Sequence, residues 1–343
     1  MLTFISATIV LSILILVHEF GHFIVAKKSG VKVERFSIGF GKEIIGWTRG
    51  ETRYSVSLLP LGGYVKMAGE NQSEVSNKPD EFFCQPIKKR FWILSAGAIF
   101  NYLLGFLLFF FIFMLGNPQL TAQIGEIKEG FPAEKILQKG DYIISINNKA
   151  VSHWEEMAKI ISQSKEPLNL IIKRGSENLS ATISPREDNG RRVLGILPSG
   201  ETIKVRYNPF AAFYLAGKRT LRLTALTYAG LWKMITRQIS WKSLTGPVGV
   251  IYITGKVAKM GILPLLQFMA VLTINLGLFN LLPLPMLDGG HLLFLGLEKL
   301  RKKPISEKAQ EIAQNIGVLF LIILFIAVLW GDFSKISLWK ALP

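Results

Sequence analysis

Apolar residues fall in four long runs along this chain. They occupy residues 2–26, 91–115, 262–282 and 312–330. A helix rises 1.5 Å per residue, so each run is long enough, or nearly so, to cross the hydrocarbon core of a bilayer. The pattern predicts a polytopic α-helical membrane protein with four transmembrane helices, split into a first half over 1–116 and a second over 261–343. The stretches between the runs have other textures. Residues 31–70 are glycine-rich and alternate like strands, in Phe36-Ser-Ile-Gly-Phe-Gly41, Thr52 to Leu59, and Pro60-Leu-Gly-Gly-Tyr-Val-Lys66. They predict a β-hairpin or small sheet. Its apolar content suggests a re-entrant segment dipping toward the membrane, where non-helical backbone is tolerated only against protein or a wet cavity. An ordinary cytoplasmic hairpin fits as well. Residues 71–80 are polar and read as a loop.

Residues 117–207 lose the membrane texture and read as an α+β domain. A strand, a short helix opened by Pro132-Ala133, a turn at Gly140-Asp141 and a strand over 143–146 come first. A helix over 153–162 and strands over 168–173 and 179–184 follow. Residues 208–260 carry Lys218, Arg219, Arg222, Lys233, Arg237, Lys242, Lys256 and Lys259, no acid, and Leu, Phe and Trp between them. That reads as a basic amphipathic segment on the outer membrane surface, broken at Gly246-Pro-Val-Gly249.

Charge orients this picture. No basic residue precedes the first run, whereas Lys27, Lys28, Lys32 and Arg35 follow it. The positive-inside rule then puts the N-terminus outside and residue 27 in the cytoplasm. Lys88-Lys-Arg90 and the basic stretch over 299–303 fall on the same side. The 117–207 domain and both termini are therefore extracytoplasmic. Residues 2–26 lack a basic n-region and a small-residue cleavage signal, and read as an uncleaved helix. The net charge is +16, yet residues 117–207 hold 13 basic against 11 acidic residues. The excess lies around the apolar segments, which points to topology and anionic lipid, not nucleic acid. Cys84 is the single cysteine, so an internal disulfide and a cysteine-rich zinc site are excluded.

Inside the first run stand His18, Glu19 and His22. Residues four apart share a helix face, so the two imidazoles can bind one metal ion, with Glu19 beside them to take a proton from activated water. Two histidines and a glutamate in a membrane helix are costly unless paired or ligated, which favours function over a bonded structural cluster. The topology places Asp288, after the third run, at about the same depth. Two histidines and an aspartate make a sound catalytic zinc set. His291 competes as third ligand and is read as a supporting residue. Asn275 and Asn280 can hold substrate backbone, or equally bond helix to helix. A helical substrate must unwind before cleavage, and an edge strand within 31–66 can hold the unwound backbone by strand addition.

The motif His18-Glu-Phe-Gly-His22, the segments over 35–41 and 60–66, Asn275, Asn280 and Pro283-Leu-Pro-Met-Leu-Asp-Gly-Gly-His291 together resemble the bacterial site-2 proteases, within them the regulator of sigma-E protease group. Residues 125–147 resemble the start of a PDZ domain, a module that binds extended peptides or C-termini by strand addition. The resemblance implies an inner-membrane zinc protease that cuts transmembrane segments after another protease has removed the outer domain. Its substrates would be membrane proteins such as anti-sigma factors or remnant signal peptides. It implies that His18, His22 and Asp288 bind zinc, that Glu19 is the catalytic base, and that Asn275 and Asn280 seat substrate. The best-known members carry two tandem PDZ domains, whereas this chain has room for one. The competing readings are a non-proteolytic scaffold or chaperone that binds peptides through the PDZ domain, and a metal transporter.

Overall fold

The first apolar run folds as α1 (Leu2–Lys28), with Lys27 and Lys28 in the last turn, where cations suit the helix dipole. The computed structural model describes residues 2–164, 166–188, 190–240 and 244–341. It comprises two units, Met1–Phe111 with Ala212–Pro343, and Ile112–Ala211.

In the first unit, β1 (Val33–Arg49) and β2 (Thr52–Met67) follow α1. Both strands bend. Residues 35–38 lie between two parts of β2, pairing Ile38 with Gly63 on one side and with Val56 on the other. Residues 45–49 pair back on 52–56, from Arg49↔Thr52 to Ile45↔Val56. The product is a small sheet whose edge is residues 63–67, and that edge runs along α1. Ser12 donates to the Pro60 carbonyl, Gly62 faces Ile15, and Glu19 accepts from the Val65 amide. Ser12, Ile15 and Glu19 share one helix face. The far part of the sheet exposes Phe40, Ile44, Ile45, Trp47, Leu58 and Leu59. Glu43 bonds both Arg35 and Arg53, which hold its carboxyl below the usual carboxylate range, Arg53 chiefly.

The second apolar run is α2 (Ile87–Leu115). Its first turn carries Arg90, buried and paired in a fork with Glu298. The third run is α6 (Ile262–Asn280), and a turn then leads to α7 (Asp288–Arg301) and α8 (Glu307–Ala341). Among the described residues four helices are long and apolar enough to cross a membrane: α1, α2, α6 and α8.

The basic stretch over 208–260 is helical in two parts, with the break before Pro247. The two helices, α4 (Pro209–Ile235) and α5 (Pro247–Lys259), pack on the membrane helices. Ala212, Ala216 and Thr220 repeat every four residues and are buried, so one face of α4 is small enough for close packing. Thr224 on α4 donates to Tyr102, and Thr227 to Asn275. Gly255 of α5 lies against Thr3. The fully buried Asp332 accepts from the amides of Gly246 and Gly249, which closes the N-terminus of α5 from another helix. Lys242 lies outside the described residues.

The second unit is an α+β domain. A four-stranded antiparallel sheet, in the order β4 (Lys149–Ala150), β3 (Tyr142–Ile146), β5 (Leu168–Arg174), β6 (Glu177–Ile183), packs with α3 (Trp154–Gln163). Ile143, Ile146, Met157, Leu168, Leu170 and Ile172 form its core. Buried residues alternate along β5, as a half-buried strand requires. Asp141 is buried and accepts a fork from Arg174. The helix expected at Pro132-Ala133 is instead a series of turns, with Glu134 and Ile136 each bonding three residues back.

Candidate active site

One turn of α1 supplies His18 and His22, each 7% exposed. Their Nε2 atoms are 3.2 Å apart. Asp288 Oδ2 stands 3.1 Å from His18 Nε2 and 3.4 Å from His22 Nε2. The three atoms form a nearly equilateral triangle. A tetrahedral zinc ion with bonds of about 2.0–2.1 Å needs ligand atoms about 3.3–3.4 Å apart. Asp288 Oδ2 is also buried without a hydrogen-bond partner, a costly state that a cation relieves. Among the described residues these are the three side chains that converge as a metal-binding group. The donor set fits zinc.

The polypeptide builds this triangle from three elements. His22 Nδ1 donates to the Ile93 carbonyl of α2 at 2.8 Å, so its Nε2 carries the lone pair. Asp288 opens α7, where a carboxylate suits the helix N-terminus. Gly289 and Gly290 let α7 press on the preceding turn, since a Cβ at either would stand 2.2 Å from the carbonyl oxygen of Leu282 or Leu284. The Arg90–Glu298 fork ties the far end of α7 to α2.

A cavity of 460 Å³ opens on the triangle and is lined by His18, Glu19, His22, Val65, Glu70 and Asp288, among others. The Val65 amide donates to Glu19 Oε2 at 3.2 Å, and the Met67 amide to Glu70 Oε2 at 3.1 Å. The two outward amides of the edge strand thus point at two carboxylates on the cavity wall. Burial raises the Glu70 carboxyl above the usual carboxylate range. Sequence reasoning missed Glu70. Its signal was slight, an acid just past the glycine-rich segment.

The other expected residues divide. Asn280 joins the cluster, its Nδ2 at 3.4 Å from His18 Nδ1. Asn275 does not line the cavity, and its Oδ1 accepts from Thr227 at 2.8 Å, a helix–helix bond. His291 lines the cavity but is not part of the converging triangle.

A triangle of ligand atoms that fits zinc and a neighbouring carboxylate, in a chain with helices of membrane length, are the features of a membrane metallopeptidase. Residues 6–324 match the model of peptidase family M50. The chain belongs to that family, the site-2 proteases. It is 36% identical over 347 residues to "Putative zinc metalloprotease Cj1068" of Campylobacter jejuni, covering 97% of this chain and 94% of the relative. It is 30% identical to Protease RseP of Yersinia pestis, covering 96% and 97%. It is also 30% identical to Regulator of sigma-E protease RseP of Salmonella typhimurium, covering 96% and 97%. The alignment with the Yersinia protein spans 442 residues against the 343 here, so that relative is the longer protein. A solved PDZ domain of an SdrC-like protein from Listeria innocua is 26% identical over 24% of this chain and 96% of that structure, with a TM-score of 0.22.

Proposed function

We propose that this zinc metalloprotease cleaves transmembrane segments of other membrane proteins, with His18, His22 and Asp288 holding the zinc and Glu19 as general base. The observation that carries this reading is the triangle of ligand atoms, 3.1–3.4 Å on each side, with Glu19 on the wall of the same cavity. When bound, zinc supplies the Lewis acidity that makes water a nucleophile and polarises the scissile carbonyl. Glu19 takes a proton from the attacking water as the new C–O bond forms. It returns that proton to the leaving nitrogen as the C–N bond breaks. His18 and His22 are nearly buried, which strengthens the charge interactions they make.

A helical substrate hides its peptide bonds, so residues 63–67 receive an unwound segment as an added strand. The nearness of Val65 to Glu19 supports this, because a strand paired there brings its backbone to the base. Exposed apolar residues on the sheet, and the run of residues 60–65 beside residues 12–19 of α1, support a re-entrant position in the membrane. Asn280 faces the site and is suited to hold substrate backbone. Asn275 does so only by giving up its bond to Thr227.

The relatives named as regulators of sigma-E protease support substrates of the anti-sigma-factor kind, in regulated intramembrane proteolysis. The charge distribution supports an inner-membrane protein with both termini and the PDZ domain in the periplasm, and an active site nearer the cytoplasm. The PDZ domain would take an extended peptide or a C-terminus from the substrate or a partner.

The test is cleavage of a tagged single-span substrate in detergent by wild type and Glu19→Gln, with zinc measured in both. The expected result is cleavage by wild type alone and equal zinc in the two proteins. If neither protein cuts while both bind peptide, the scaffold reading replaces this one.

A further inference from the structure

One face of α2 meets both imidazoles. Ile93, Gly97 and Asn101 are spaced four apart and line up along it. The Ile93 carbonyl binds His22, and Gly97 leaves room for both rings. Asn101 is fully buried, and its Nδ2 is 3.3 Å from His18 Nδ1. Its Oδ1 is buried with no partner. Asn280 also turns an amide nitrogen toward the His18 ring, so two NH2 groups face one imidazole.

That arrangement conflicts with the triangle. His18 points Nε2 at His22 and Asp288, and an imidazole that ligates through Nε2 carries its proton on Nδ1. Nδ1 then needs an acceptor, as His22 has in the Ile93 carbonyl. The two ends of an asparagine amide are nearly the same shape, and turning it by 180° exchanges them. For Asn101 the turn brings the unpartnered Oδ1 onto the His18 N–H. Asn280 is the poorer choice. Its nitrogen is 3.4 Å from Nδ1 and 3.5 Å from Nε2, so it sits off the axis of the Nδ1–H bond.

We propose that Asn101 is the positioning residue for His18: its Oδ1 accepts the Nδ1 proton, fixes the tautomer and aims Nε2 at the metal. The proposal rests on the reading of His18 as a ligand. It assigns Asn101 no contact with substrate and leaves the Asn280 amide for that purpose. The helix α2 then holds both histidines, one by a main-chain carbonyl and one by a side-chain amide.

The experiment measures zinc affinity of the purified full-length protein by chelator competition, for wild type, Asn101→Leu and Asn101→Asp. Leucine keeps much of the volume and removes the acceptor, whereas aspartate keeps the acceptor. Loss of such an outer partner weakens metal binding about 10–100-fold. The expected result is that loss for Asn101→Leu and near wild-type affinity for Asn101→Asp. Equal affinity of wild type and Asn101→Leu overturns the proposal, as does equal loss in both variants. Should Asn101→Leu not fold, ring-nitrogen NMR of the zinc-loaded wild type decides: a protonated, hydrogen-bonded His18 Nδ1 supports the proposal and an unprotonated one overturns it. A wild type that takes up no zinc overturns the ligand reading itself.

Discussion

Gly97 stands where any side chain would meet His22: a Cβ there would lie 2.3 Å from His22 Nε2 and 2.5 Å from His18 Cε1. These are below any normal contact, and the obstructed atom is the one that faces the metal position. Gly97→Ala is expected to lose most of the bound zinc and all measurable proteolysis. Metal analysis of the purified protein, beside wild type, checks this. Zinc retained at the wild-type level would mean that α2 can shift away from α1.

The outward amide of Val65 donates to Glu19 Oε2 here, and strand addition at this edge transfers it to substrate backbone. Val65→Pro removes that donor on an edge strand, where proline is tolerated. One hydrogen bond is worth about 1 kcal/mol, so kcat/KM for a membrane substrate is expected to fall about fivefold to tenfold or more. Zinc content should not change, and Val65→Thr should behave as wild type. A proline variant of full activity would exclude strand addition at this edge.

Arg90 and Glu298 make a part-buried fork that fastens α7 to α2. Removing Glu298 leaves the buried Arg90 charge alone, the costly case for a broken pair, whereas removing Arg90 leaves a partly exposed carboxylate and costs less. Arg90→Met and Glu298→Gln are each expected to lower the unfolding temperature in detergent. They should also weaken zinc binding, since α7 carries Asp288. The exchange Arg90→Glu with Glu298→Arg should recover part of both.

Asp141 gives the second unit a pH dependence. Burial opposes its ionisation, yet the Arg174 fork and the Gln138 amide hold its carboxyl below the usual carboxylate range. The unfolded chain therefore takes up this proton at higher pH than the folded one. The stabilisation is complete above the unfolded value of about 3.9 and is lost as pH falls through the lower folded value. Hydrogen exchange over residues 112–211 of the intact protein, corrected for intrinsic rate, should show protection falling below about pH 4. In Arg174→Met protection should be lower at pH 7, and the gap to wild type should close in acid.

The four membrane helices were legible because a bilayer demands about 20 apolar residues, a signal no soluble segment imitates. His18, Glu19 and His22 were legible because helix geometry alone puts them together. The packing partners of 208–260 were not. The basic residues of that stretch read as a surface segment, while the small residues that let α4 pack, Ala212, Ala216 and Thr220, are weak signals until a partner helix is known. The turns at Pro132 had the composition of a helix start and lacked the length to propagate one.

By itself, then, the chain determined what is local: the helices, the strands of the sheet, the spacing of the two histidines and the family motif. Tertiary structure decided what depends on distance between elements. It brought Asp288 to within 3.4 Å of both histidines and left His291 outside the triangle. It turned Asn275 to Thr227, aimed the Ile93 carbonyl at His22 and set Asn101 against His18. The physical reason is that helix periodicity fixes which side chains share a face, whereas close packing of several helices fixes what each face meets.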